Sequence, residues 1–149
     1  MPVSLPDGGL VSAQSYAKVG LMVRFPLLSA SILGLTAVIL GAFGAHALDA
    51  TLMARGMKGV WETAVHFQLF HAASLLGIAA LLRGASGPLA KRLTWSARLL
   101  TAGTLLFSGS LYGLALGGPR LLGPVTPLGG LCFILGWTSL LWASFAVTE

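Results

Sequence analysis

The chain has 149 residues, of which 56% are hydrophobic and only 9% charged, against about 25% charged in an ordinary soluble domain. Too few polar side chains remain to clothe a water-facing surface, and no charge falls between Phe25 and Leu48, Thr63 and Leu82, Leu99 and Pro119, or Leu121 and Thr148; lipid is the solvent that suits such gaps. The net charge of +5 comes from nine Lys and Arg set between apolar stretches without a dense cluster, which argues against nucleic acid as a partner and fits membrane-orientation charges.

Residues 1–24 mix Pro, Asp, Gly, Ser, Gln and Lys with isolated apolar residues, and this pattern predicts a flexible N-terminal tail. Met22, just before Val23, Arg24 and a long apolar run, is an alternative start. The first span is predicted over 25–48, because a helix needs about 20 apolar residues to cross a hydrocarbon layer ~30 Å thick. A secretory signal is the rival reading, since Ala45-His46-Ala47 resembles a small-x-small cleavage site. The apolar run is, however, longer than the roughly 7–15 residues of a signal core.

Residues 49–59 read as a loop holding Arg55 and Lys58, with Asp49 placed to cap a short turn over 50–54. Trp61 stands where an aromatic-belt residue would anchor the next helix. The second span, 62–82, carries Glu62, His66, Gln68 and His71 in its first half. Polar groups at such depth are costly unless paired, so this helix is expected to be the most enclosed. A loop with Gly84, Gly87 and Pro88 follows, then Trp95 at the edge of a third span over 97–116, ended by Gly117, Gly118 and Pro119. Thr126 and Pro127 suit the N-cap and first position of a fourth span over 128–147.

Four spans define an all-α integral membrane protein, a four-helix transmembrane bundle with a tail over 1–24. Lys18, Arg24, Arg83, Lys91, Arg92 and Arg98 then share one side, against Arg55, Lys58 and Arg120 on the other. The positive-inside rule puts both termini in the cytoplasm. The lone Cys132 allows no intrachain disulfide and no Cys-rich metal site.

Gly109, Gly113 and Gly117 recur every four residues along the third span, and Gly34, Ala37, Gly41 and Ala45 make a comparable face on the first. Both are expected to serve close helix packing, with self-association as the sharper alternative. Two polar constellations stand out. His46, Glu62 and His66 fall near the outer surface and have the donor types of a divalent-metal site or proton relay; hydration or mutual pairing is the plainer reading. Gln68 and His71 fall deeper, facing Ser108 and Ser110 if the third span is an antiparallel neighbour. A register-fixing hydrogen-bond network is the plainer reading here, a ligand pocket or proton path the sharper one. Haem is disfavoured because His71 has no evident mate. There is no phosphate-binding glycine loop, His-Glu-x-x-His motif or Ser nucleophile elbow.

The strings Gly41-Ala42-Phe43-Gly44-Ala45-His46, Leu106-Phe107-Ser108-Gly109-Ser110-Leu111-Tyr112, Thr126-Pro127-Leu128-Gly129-Gly130 and Gly136-Trp137, with Gln68 and His71, carry a resemblance. Over about residues 22–147 the chain resembles the YgdD-like family of small inner-membrane proteins of unknown function, to which eukaryotic transmembrane protein 256 is similar. The resemblance implies a multi-pass protein of the inner (plasma) membrane and marks His46, Gln68, His71, Ser108, Ser110 and Tyr112 as family-type positions. His66 departs from it, the family commonly having Tyr there, which weakens a metal site built on His66. The expected role is non-enzymatic, a membrane scaffold or accessory subunit acting through helix packing, without a cofactor. Its expected surroundings are the lipid bilayer and a homo-oligomer or membrane-protein partner. The alternative is transport or binding of a small ligand, proton or metal through His46, Gln68 and His71.

Overall fold

A computed structural model describes residues 13–146, with side chains described from residue 19 onward. Five helices follow in order: α1 (Ala13–Ala45), α2 (Asp49–Ala54), α3 (Lys58–Leu82), α4 (Gly87–Ala115) and α5 (Leu122–Ser144). Hydrocarbon offers backbone groups no water, so a spanning segment must pair them within itself, and the helix does so. Hydroxyls obey the same constraint: Ser31, Thr36, Ser74 and Thr138 donate to the carbonyls four residues back, at 2.9, 2.7, 2.9 and 2.8 Å. Three segments, Val19–Ala45, Lys58–Leu82 and Leu122–Ser144, are long and apolar enough to cross a membrane. Helix α4 is long enough but carries Lys91, Arg92 and Arg98 early and several Ser, Thr and Gly later.

The four long helices pack in chain order, α1 on α3, α3 on α4 and α4 on α5, with only a slight α1–α4 contact. The core joins Leu33 of α1, Leu75, Ile78 and Leu82 of α3, Leu93, Ala97 and Leu100 of α4, and Phe133 of α5. At the far end, short α2 drops Leu52 onto Trp61, Val65 and Ala115.

Several boundaries differ from the sequence expectation, each for a local reason. The tail expected over 1–24 is helical from Ala13, with Met22 and Val23 packed on the core; residues 1–12 lie outside the described part. Asp49 caps nothing; its carboxylate accepts from Lys58 Nζ at 2.6 Å. Trp61 is 2% exposed under α2, a core residue instead of a lipid-facing anchor. The loop expected over 83–96 shrinks to four residues, because Ala90, Leu93, Ala97 and Leu100 form a continuous buried stripe and start α4 at Gly87, with Pro88 in its first turn. Helix α5 begins at Leu122, not 128: Pro124 sits in the first turn, where an N–H would be unpaired anyway, and Pro127 is carried inside the helix. Its expected end at 147 lies outside the described residues. Helix α4 stops where expected, in a Schellman arrangement: Gly118 N donates to Gly113 O at 2.8 Å and Gly117 N to Leu114 O at 3.0 Å. Gly117 has φ 87°, and the Arg55 guanidinium lies against it where a side chain would go.

Candidate functional site

Helix α3 is the axis of the site, packed by α1 on one side and α4 on the other. Gln68, 4% exposed, links all three. Its Nε2 donates to Leu33 O at 2.9 Å and to Thr36 Oγ1 at 2.8 Å on α1, while Tyr112 of α4 donates its hydroxyl to Oε1 at 2.9 Å. Tyr112 in turn meets Trp61 edge-on at 4.7 Å between ring centroids. The Trp61 indole covers Gly44 and donates from Nε1 to Leu40 O at 3.0 Å.

His71 lies one turn further along α3, 3% exposed and ringed by aromatic side chains. Phe133 stacks on it at 3.7 Å and 7°, and Phe70 meets it edge-on. Nδ1 is 2.8 Å from Phe67 O, an acceptor, and Nε2 receives the Trp137 indole N–H at 3.3 Å. The neutral ring protonated on Nδ1 satisfies both contacts. His71 floors a groove of about 670 Å³ between α3 and α5, walled by Phe70, Ile134, Trp137 and Leu141.

The six family-type positions therefore do not form one network. Gln68 and Tyr112 bond directly. Ser108 donates to Ala64 O at 2.9 Å, tying α4 to α3, and Ser110 sits 2.8 Å from Thr126 Oγ1, tying α4 to α5. His71 touches none of them through a hydrogen bond. His46 is exposed in the turn after α1. Of the outer group, Glu62 and His66 line a common hollow of about 460 Å³ beside Lys58, from which His46 is missing. Among the described residues no group of three or more His, Cys, Asp and Glu could hold a metal.

The packing glycines also divide. A Cβ on Gly34 or Gly41 would touch Ala72 at 3.8 Å or Val65 at 3.4 Å, ordinary α1–α3 contact. Gly109 faces open space, Gly113 faces Leu122, and Gly117 faces Arg55. Backbone meets backbone between α4 and α5, where a Cβ on Gly129 would lie 2.5 Å from Phe107 N, and on the same interface one on Gly136 would lie 2.7 Å from the Leu100 side chain. Sequence reasoning passed over Gly129, Gly136, Thr36 and Trp137, the partner of His71. The strings with Gly129 and Gly136-Trp137 carried the signal without indicating which helix each residue faces.

A family described as a protein of unknown function (DUF423) matches residues 40–130. A UPF0382 membrane protein of Staphylococcus haemolyticus is 45% identical over 105 residues, 70% of this chain and 82% of its own length. The UPF0382 inner membrane protein YgdD of Escherichia coli K12 is 44% identical over 122 residues, 79% of this chain and 87% of its own. A UPF0382 membrane protein of Staphylococcus saprophyticus is 42% identical over 111 residues, 74% of this chain and 88% of its own. No solved structure matches. With relatives named as inner membrane proteins and three helices able to cross a bilayer, the chain is a multi-pass protein of the inner (plasma) membrane. It belongs to the DUF423 family, the UPF0382 membrane proteins that include YgdD.

Proposed function

We propose that this chain is a non-enzymatic scaffold or accessory subunit, a four-helix transmembrane bundle with both termini in the cytoplasm. In this reading α4 also crosses the membrane, as the third span in chain order. Its polar content is tolerable in lipid because Ser96, Thr104 and Ser108 are buried and donate to Gly136, Leu100 and Ala64 carbonyls. Four crossings put Arg24, Arg83, Lys91, Arg92 and Arg98 on one side, against Arg55, Lys58 and Arg120, which supports a cytoplasmic location for the richer side. One observation carries the functional reading: among the described residues every buried side-chain nitrogen and oxygen has a partner within the chain. Such a chain commits its interior to its own architecture and offers other molecules its helix faces. Purification in mild detergent, followed by mass spectrometry and sizing, is expected to recover a stoichiometric membrane-protein partner or a homo-oligomer. A solitary monomer refutes the reading.

The alternative, transport or binding of a small ligand, proton or metal, draws its support from the position of His71 at the floor of the α3–α5 groove. It requires flux into liposomes, or bound metal, that disappears in His71→Ala.

A further inference from the structure

Among the described residues, the end of the molecule where α3 gives way to α4 is basic and holds no acidic side chain. Arg83 precedes α4, and Lys91, Arg92 and Arg98 lie within its first twelve residues. The acidic side chains among the described residues are Asp49 and Glu62, both at the opposite end of α3, and Asp49 already holds Lys58 at 2.6 Å. That helix of 25 residues separates the two ends by roughly 37 Å, several times the ~8 Å screening length at physiological ionic strength.

Two of these cations, Lys91 and Arg92, open onto an apolar groove. Between α4 and α5 lies a hollow of about 720 Å³ with Lys91 and Arg92 at its mouth and Trp95, Leu99, Leu135 and Trp142 along it. Arg92 is held in place: Nη1 donates to Trp142 O at 2.8 Å, and the guanidinium carbon sits 4.5 Å over the Trp142 ring. Only one of its five N–H groups is used in that bond. Trp95, 51% exposed and 5.7 Å from the Arg98 guanidinium carbon, marks the level at which Trp favours the lipid headgroups. A free anion would use the mouth and leave the apolar length idle; a zwitterionic lipid would fill the length and leave the cations without net compensation.

We propose that this surface binds an anionic phospholipid, its phosphate at Lys91 and Arg92 and one acyl chain along the α4–α5 groove. It is independent of any protein partner docking elsewhere on the chain.

The test is native mass spectrometry of the full chain in micelles, supplied with phosphatidylglycerol and phosphatidylcholine of matched acyl chains at equal concentration. The wild type is expected to retain phosphatidylglycerol in preference. Lys91→Gln should reduce that preference about fivefold, and adding Arg92→Gln about fivefold again. Lys91→Arg should preserve it, as should Lys58→Gln at the opposite end. Glycerol phosphate, a headgroup without chains, should fail to compete. Equal retention of the two lipids, an undiminished preference in the double variant, an equal loss in Lys58→Gln, or competition by glycerol phosphate each overturns the proposal. If the Arg92 variant does not fold, quenching of wild-type tryptophan fluorescence by brominated phosphatidylglycerol decides instead. It must exceed quenching by brominated phosphatidylcholine, and equality overturns the proposal.

Discussion

Tyr112→Phe removes one hydroxyl while keeping the ring that packs against Trp61. It leaves Gln68 Oε1 without the donor it has at 2.9 Å. Gln68→Leu removes that bond and both bonds from Nε2 to α1. Hydrogen bonds between membrane helices average about 0.6 kcal/mol and reach about 1.7, because the unfolded chain in the membrane also finds partners. Tyr112→Phe should therefore cost about 0.6–1.7 kcal/mol, and Gln68→Leu about 2 kcal/mol from three bonds at the mean value, less what leucine recovers by packing. In the Gln68→Leu background the Tyr112 bond is already gone, so Tyr112→Phe should then cost almost nothing. The coupling energy of the cycle equals the bond. Unfolding of all four forms by dodecyl sulfate in mixed micelles, followed by tryptophan fluorescence, measures it. Additivity within about 0.3–0.5 kcal/mol, or a Gln68→Leu protein more stable than wild type, would refute the conclusion that Gln68 ties the helices together. It would also move Gln68 toward a role in ligand handling.

The same unfolding assay applies to two further pairs. Gly129→Ala places a methyl 2.5 Å from Phe107 N and should cost about 1–3 kcal/mol as overpacking. Gly109→Ala meets nothing within 4 Å and should be neutral or stabilising by up to about 1 kcal/mol; equal losses would refute the α4–α5 packing. Trp137→Phe leaves His71 Nε2 buried without its donor and should cost about 1–3 kcal/mol, a loss that His71→Phe in the same chain should partly relieve if the pair is structural. Fluorescent-protein and alkaline-phosphatase fusions should report a cytoplasmic C-terminus and an outward α4–α5 turn at residues 116–121; the reverse pattern would refute the four-span topology.

Composition and charge-free gaps made the all-helical membrane class legible, because they depend on length and polarity alone. Boundaries were less legible, since the tertiary neighbour decides them. Lys91 and Arg92 read as loop because charges mark span ends in a sequence, yet Ala90, Leu93, Ala97 and Leu100 bury the other face of the same turns. The long cationic side chains can reach the headgroups while their backbone stays helical. Pro127 likewise read as a helix start, although α5 carries it six positions in. At the candidate site, the spacing on one helix identified Gln68 and His71 as buried polar residues. It could not identify Thr36 or Trp137 as their partners, which arrive from α1 and α5, while Tyr112 of α4 was marked only through the family resemblance.

The glycine pattern shows the same limit and gives the packing its logic. Lipid tails are as apolar as leucine, so helices associate through close van der Waals contact and polar ties more than through hydrophobic burial. Where such contact is made, at Gly129 and Gly136, no four-residue repeat announces it; where the repeat is perfect, Gly109 faces open space. Polarity is the better guide to enclosure. Helices α3 and α4 lie between neighbours on both sides, and among the described residues they hold the six buried polar side chains, Gln68, His71, Ser96, Thr104, Ser108 and Ser110. Helices α1 and α5, each packed chiefly on one partner, hold none of these and show lipid the bulk of their apolar surface. The enclosure expected for the second span, α3, is thus shared with α4, whose polar residues protein surrounds.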